Sequence, residues 1–556
     1  MDADAIVVGG GLAGLVAACE LLDAGHRVIL LDQENAASLG GQAYWSFGGI
    51  FLVDTPAQRR LGVRDSVELA WQDWQGSAGW DRTDDEDRWA ARWGRAYVEW
   101  AAGEKLAWLR SKGVRFTPMV GWAERGGASA TGHGNSAPRF HVAWGTGTGV
   151  SEPFAERIRT AAGEGRLDWR PRHRIESLLV EGGAVVGVEG EVLAADHAPR
   201  GVPSSREAIA AFTLRAPAVV VATGGIGGNH DLVREWWPRR LGTPPAAMIT
   251  GVPAYVDGSG IAIAEAAGAR TVNRDRMWHY TEGIENFAPV WPGHGIRILP
   301  GPSSMWFDAL GRRLPAPLLP GYDTLGTLRH LRTTPDLVEH DHSWFVLNQS
   351  IIEKEFALSG SEQNPDITSG KWSAVVRSRL GKGAPAPVEA FKRRGADFVV
   401  ADDLDALVAG MNRTAGSDAL DVAGLRRELE ARDAEMANPY AKDAQVQGIH
   451  NARRYRGDRL LRVATPHRIL DPAKGPLIAV RLSILTRKSL GGIQTDLESR
   501  ALGTDGAPVP GLWAAGEASG FGGGGLHGYN ALEGTFLGGC LFSGRAAGRS
   551  IAARLA

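Results

Sequence analysis

Residues 5–8, Ala-Ile-Val-Val, form a short unbroken apolar run. It leads into Gly9-Gly10-Gly11-Leu12-Ala13-Gly14 and then into apolar positions at helical spacing from Leu15 to Leu22. The pattern predicts a strand, a tight turn and a helix. Gly25 stops the helix, and Arg27 to Leu31 predict a second strand that ends on Asp32. Further along, Ala218-Val219-Val220-Val221 reads as a buried strand that ends in the small-residue turn Ala222-Thr223-Gly224-Gly225. Residues Val67 to Leu109 carry Trp71, Trp74, Trp89, Trp93 and Trp100 at helical spacing, an aromatic stripe of the kind that packs a core. Glu176 to Glu189 alternates about Gly182-Gly183 and predicts a hairpin. Near the end, Pro510-Gly511-Leu512-Trp513-Ala514-Ala515-Gly516-Glu517 and His527-Gly528-Tyr529-Asn530 introduce a last apolar helix, expected to start near Asn530.

The first of these units has a physical reading. Gly9 permits the turn, Gly11 lets a pyrophosphate approach the backbone, Gly14 lets helix and strand pack closely, and the helix N-terminus offers partial positive charge. Leu12 and Ala13 lie in the same turn, and Asp32 falls about 20 residues past the glycines, where an acid accepts hydrogen bonds from a ribose. A lone GxGxxG means little; one flanked by both strands and the acid is a nucleotide site. Gly224-Gly225-Ile226-Gly227-Gly228 lacks the last glycine of such a motif and a following strand ending in an acid, so no second NADPH fold is expected. Electrons then pass to or from a quinone, a dye, oxygen or a protein, an acceptor or donor that these residues leave unidentified.

Composition narrows the class. With 44% hydrophobic and 22% charged residues, the 556-residue chain is globular, and at roughly 150 residues per domain it holds two or three units. A net charge of −2 without a basic block excludes a nucleic-acid binder. Only Cys19 and Cys540 are present, too few for a disulfide framework or a cysteine metal cluster, and both are read as buried small hydrophobes. No metal site is expected. The apolar stretch from Ala5 follows Asp2 and Asp4 and contains glycines, so it is not a leader peptide, and no run reaches the roughly 18–20 residues of a membrane span. A cytoplasmic location follows as an expectation.

Several scattered segments together resemble the flavoprotein superfamily of fumarate reductases, succinate dehydrogenases, aspartate oxidases and 3-ketosteroid dehydrogenases. They are the GxGxxG unit, the loop Gly40-Gly41-Gln42-Ala43-Tyr44-Trp45-Ser46-Phe47-Gly48-Gly49, the Ala222-Thr223-Gly224-Gly225 turn, Gly258-Ser259-Gly260-Ile261, Gly491-Gly492 with Asp496, and PGLWAAGE. The resemblance implies an α/β, Rossmann-like FAD-binding core of the GR2 type, interrupted by an α+β catalytic or cap domain. We expect a core over 1–274 with a helical insertion near 55–150, a cap over 275–471, and a return to the core over 472–556. FAD would lie along Gly40, Gly41, Gln42, Ser46, Gly48 and Gly49, with Ala222, Thr223, Gly224, Asp257, Gly516, Glu517, Asn530 and Leu532 completing its site. The N-terminal end of the last helix would face the flavin's N1–C2=O edge and stabilise the reduced anion. In the covalent members of the family a histidine occupies the place of Gln42; an amide cannot make that bond, so FAD is expected to be held non-covalently.

For chemistry, the resemblance places Lys488-Ser489 where fumarate reductases have His-Thr, and Asn530-Ala531 where they have Asn-Arg. Without that arginine the planar clamp for a dicarboxylate is missing. The stretch Leu299 to Leu314 is closer to the ketosteroid dehydrogenases, in which a nearby tyrosine acts on substrate; Tyr322 stands one residue out of register, and Tyr529 lies two residues from the other tyrosine position, now Ala531. The expected activity is dehydrogenation or reduction of a CH–CH bond beside a carbonyl of a hydrophobic, steroid-like ketone. A fumarate-reductase-like enzyme for a small acid and a flavin carrier without turnover are the alternatives. Such chemistry needs a base and a donor that polarises the carbonyl. Tyr322 or Tyr529 is the candidate base, aided by Arg487 or Lys488; Lys488, His527 or the N–H groups of Gly522 to Gly525 are candidates for holding the oxygen, with His133, Arg139 and His141 as a further group.

Overall fold

The computed structural model describes residues 1–127, 132–380 and 383–556, with side chains described for all of these but 377, 379 and 380. Its architecture is mixed α/β. The strands Ala5–Val8 and Val28–Asp32 pair in parallel around the helix Leu12–Asp23, as the periodicity predicts. They join a six-stranded sheet whose order by residue is 500–502, 508–514, 219–221, 5–8, 28–32 and 167–171. Pieces from three distant parts of the chain therefore meet in one layer. All its neighbours are parallel except 500–502 against 508–514, so the carboxyl ends of Ala5–Val8, Val28–Asp32 and Val219–Val221 open on one edge, where ligands of open α/β sheets bind.

Above that edge stands a second sheet of eight strands. Its main path runs 305–308, 342–348, 477–489, 277–285, 295–299, 357–358, and both 249–250 and 398–401 also pair with 477–489. Leu477–Ser489 follows the boundary expected at 471, yet it forms the middle of this second sheet, and its last residues bring the sheet down to the core. Each sheet has its own apolar core, one built on Ile6, Leu30, Val220 and Leu541, the other on Phe307, Phe345, Val480 and Phe391.

The aromatic stripe lies on the helices Val67–Ala78 and Arg88–Ala102, which bury Trp74 and Trp93. These rings brace the glycine-rich run after Phe521: Trp93 sits so close that a Cβ on Gly522 would approach its ring to 2.7 Å. The hairpin is formed by His173–Glu181 and Ala184–Leu193, with Gly182 and Gly183 at φ 59° and 82° in the turn. The last helix spans Thr535–Leu555 and starts later than expected from Asn530, because residues 516–534 fold as successive tight turns with glycines 520, 522, 523, 524 and 528 at positive φ. Among the described residues no helix is long and apolar enough to cross a membrane.

Candidate active site

An elongated cavity runs from the edge of the first sheet, at Gly9, Asp32 and Thr223, to the underside of the second, at Tyr280 and Arg297. At one end, Asp32 closes its strand, with Oδ2 accepting from Gly10 N at 2.7 Å and Oδ1 from Glu34 N at 2.8 Å. Burial pushes its carboxyl up to about 6 against the pull of those two amides. Gly9 turns at φ 106° so tightly that a Cβ would sit 2.6 Å from Ala222 O, and Gly14 lies under the turn, where a Cβ would strike Gly9 O at 2.0 Å. At Gly11 a Cβ would meet nothing nearer than Ala222 O at 4.0 Å, so here the backbone itself faces open cavity.

These features fit FAD. Besides the glycine cradle, the hydroxyls of Thr223 and Tyr255 are buried in the cavity wall with no partner among the described residues, as groups that await a ligand would be. Gly9, Gly11, Leu12, Ala13, Asp32, Gly41, Gln42, Ser46, Gly48, Gly49, Ala222, Thr223, Gly224, Gly516 and Glu517 all line the cavity. Gly40, at φ 104°, sets the loop behind the wall. Asp257 instead accepts from Ser259 N, the first residue of the next helix, Asn530 donates to Ser77 O, and Leu532 is buried outside the lining. The wall at the start of the last helix is made by Glu533, Gly534, Phe536 and Leu537.

Among the expected catalytic residues, Arg487 and Lys488 line the cavity. Lys488 Nζ donates to Gln42 Oε1 and lies 3.2 Å from Glu517 Oε2; Gln42 Nε2 donates to the same oxygen at 2.7 Å, and Ser489 N to Glu517 Oε1 at 3.0 Å. Burial lowers the lysine's pKa and Glu517 pulls it back up. Arg487 Nη1 donates to Gly251 O, and Arg487 N to Nδ1 of the buried His279, whose pKa burial pushes down to about 3 so that it stays a neutral acceptor.

The other candidates lie elsewhere. His527 stacks on Trp74 between Phe521 and Phe536, with neither ring nitrogen hydrogen-bonded among the described residues, and burial drives its pKa to about 3. Tyr529 points away from the cavity, its hydroxyl 3.0 Å from Asp81 and its ring under Arg276. Tyr322 sits beside Arg125 outside the lining, with burial raising its phenol. The glycines 522–525 pack on Trp93 and on residues of the 271–273 segment, and only Phe521 before them reaches the cavity. Arg139 is held by Asp65 and Asp73, His141 by Thr55 Oγ1 at 2.7 Å; both are structural. Cys19 is buried in the first helix, while the partial exposure of Cys540 is toward the cavity; burial pushes both thiols up to about 12.

At the far end of the cavity stand residues that motif reading does not single out: Tyr280, Arg297 and Glu533, among Ala123, Phe140 and Leu299. The pairing of Met277–Glu285 with Leu477–Ser489 slips between Trp278 and Tyr280, an irregularity of the sort that re-aims a side chain. The Arg297 guanidinium lies 3.6 Å over the Tyr280 ring, and its Nη1 is 2.6 Å from Glu533 Oε1. The available signal was titratable residues inside otherwise apolar strands: His279, Tyr280 and Glu282 in one, Arg297 in the next.

Comparison with known proteins agrees with this geometry. Residues 4–537 match the FAD binding domain family. The chain is 60% identical over 555 residues to a protein named KsdD-like steroid dehydrogenase from Mycolicibacterium smegmatis, covering 100% of both. It is 59% identical over 552 residues to KsdD-like steroid dehydrogenase Rv0785 of Mycobacterium tuberculosis, covering 99% of this chain and 96% of that one. The fold is similar to that of a 3-ketosteroid delta1-dehydrogenase from Sterolibacterium denitrificans solved with 1,4-androstadiene-3,17-dione, at a TM-score of 0.67 and 17% identity, with 99% of each chain covered. A nucleotide cradle on a parallel sheet, a cavity shared between two sheets and a family match over nearly the whole length lead to one conclusion: the chain is an FAD-dependent oxidoreductase and belongs to the FAD binding domain family.

Proposed function

We propose that the protein dehydrogenates a CH–CH bond next to the carbonyl of a hydrophobic ketone of steroid type, with non-covalent FAD as its cofactor. The observation that carries this reading is the far end of the cavity. Apolar walls from Phe47, Ala123, Phe140, Leu299 and Phe536 suit a rigid hydrocarbon, and a few polar groups converge on it. The names of the relatives at 59% and 60% identity support the same substrate class. When bound, FAD supplies two-electron, hydride-accepting chemistry.

The chain's own residues supply the rest. Tyr280 has its phenol pushed far above the ordinary range by burial, so it keeps its proton and can donate a hydrogen bond to the ketone oxygen. Arg487 and Lys488 add positive charge to the same wall, where negative charge grows on that oxygen. The buried guanidinium of Arg297 is engaged by Glu533 and lies 3.4 Å from Glu124, so it is not free to clamp a dicarboxylate. The test is anaerobic absorbance of the purified holoprotein. 4-Androstene-3,17-dione or a saturated 3-ketosteroid should bleach the flavin, while succinate leaves it oxidised. Bleaching by succinate alone would favour the small-acid enzyme, and no change with any of these compounds would favour a carrier.

A further inference from the structure

Behind the wall that carries Tyr280 lies a concentration of buried charge with no counterpart elsewhere in the cavity. Arg297 is 3% exposed in its side chain and reaches three carboxylates: Glu533 Oε1 at 2.6 Å, Glu124 Oε2 at 3.4 Å and Glu282 Oε2 at 3.8 Å. His133 Nε2 is 3.6 Å from the other oxygen of Glu124. The remaining groups that face the cluster are Asp323, which caps the helix Thr324–Thr333, Tyr280 on the strand Met277–Glu285, and Arg487 at the end of Leu477–Ser489. Thr324 bridges two of the acids, its N–H donating to Glu124 Oε1 at 2.6 Å and its hydroxyl to Glu282 Oε2 at 2.9 Å.

Three buried carboxylates around one guanidinium cannot all be ionised at low cost, because like charges at this spacing in a poorly solvated site repel by several kcal/mol. The cluster therefore retains a proton. Burial raises Glu124, raises Glu282 to about 7, and Glu124 outweighs burial to raise His133. A metal ion bound by Glu124, His133 and Asp323, whose ligand atoms lie within 4.8 Å of one another, would stand against the guanidinium 3.4 Å from Glu124. Of the three acids only Glu533 lines the cavity, and its Oε2 has no hydrogen-bond partner among the described residues.

We propose that Glu533 is the catalytic base, taking the substrate's α-proton on Oε2, and that Arg297 couples it to Glu124 and Glu282, which act as a buried proton store. This rests on the ketone-dehydrogenase reading above. In the step, the C–H bond at the carbon next to the carbonyl breaks, its proton passes to Glu533, and its electron pair becomes the new C=C bond. FAD, when bound, would supply the oxidant for the hydrogen and two electrons that leave the neighbouring carbon. Tyr280 keeps its proton throughout and holds the oxygen.

Single-turnover reduction of the holoprotein by a saturated 3-ketosteroid, followed from pH 5 to 9, tests the base. Glu533→Gln should be at least about 100-fold slower, within the 10²–10⁴-fold scale of general-base catalysis. It should keep its FAD and be reduced normally by dithionite, and Glu533→Asp should recover part of the rate. In wild type the profile should carry an inflection near neutral pH, where Glu282 ionises and raises the proton affinity of Glu533, and Glu282→Gln should remove that inflection. Infrared spectra test the store without any substrate: wild type should show a protonated-carboxyl band that titrates near neutral pH and is lost in Glu282→Gln. A Glu533→Gln rate within tenfold of wild type overturns the base, and an absent band or an unchanged profile overturns the store. Wild type that shows the band but is bleached by no 3-ketosteroid overturns the substrate reading, and the base with it.

Discussion

Replacing Lys488 by Met removes one ammonium from a buried group of four side chains, and the size of the effect follows from what remains. Glu517 loses the partner 3.2 Å away, and orphaning one member of a buried pair costs about 3–5 kcal/mol. The lower end applies, because Gln42 Nε2 and both Ser489 N and Oγ still donate to the carboxylate. At about 2.1 cal/mol/K of unfolding entropy per residue, the 556 residues convert that loss into a fall in Tm of only about 2–4 °C. Catalysis is the more sensitive readout. One oxyanion donor is worth about 10²–10³-fold, and Glu517 offsets part of the ammonium's charge, so a 10- to 100-fold slower flavin reduction by ketone is expected with FAD retained. Differential scanning fluorimetry and anaerobic stopped flow measure the two quantities on the same protein. A variant that melts as wild type does and loses less than about tenfold in rate would place Lys488 outside both the buried network and the chemistry.

Other perturbations read other parts of the molecule. Acid precipitation should release the yellow colour into the supernatant, since Gln42 offers only an amide already bonded to Lys488 and Glu517; colour kept in a washed pellet would contradict non-covalent binding. Asp32→Ala should weaken FAD binding by about 1.5–3 kcal/mol, roughly 10- to 150-fold in Kd by titration of the apoprotein. The apoprotein should lose some stability too, because the carboxylate also accepts from Gly10 and Glu34, and an unchanged Kd would mean that the acid does not meet the ribose. Lys105 is fully buried against Tyr97 and the carbonyl of Phe51, with burial pushing its pKa well below the ordinary value. A depressed lysine makes folding weaker as pH falls below about 10.5, the unfolded value, down to its folded pKa. Wild type should therefore gain stability toward pH 10 relative to Lys105→Met in paired denaturant titrations, and parallel curves would refute a buried neutral amine.

What could be read before the structure, and what could not, divides along sequence separation. The nucleotide cradle is a local object: Gly9, Gly11, Gly14 and Asp32 lie within one strand-turn-helix-strand unit, and the backbone geometry itself demands glycine at 9 and 14. The second sheet has no such local mark. Leu477–Ser489 pairs with strands that begin at 249, 277, 342 and 398, and period-2 patterning says nothing about which strands will be neighbours. For the same reason Glu533 and Arg297, 236 positions apart, could not be recognised as a pair. His527 and Tyr529 misled for the opposite reason: they adjoin a glycine motif, yet the turns at Gly524 and Gly528 rotate them into the aromatic layer and out to Asp81. Cofactor binding here is written in backbone shape and is therefore local, whereas the proposed chemistry on substrate rests on side chains delivered by strands of the second sheet and by the turn before the last helix. On the proposed roles, substitutions at Tyr280, Arg297 or Glu533 would change the reaction while every glycine of the cradle stays in place, and the cradle alone identifies the cofactor and not the substrate.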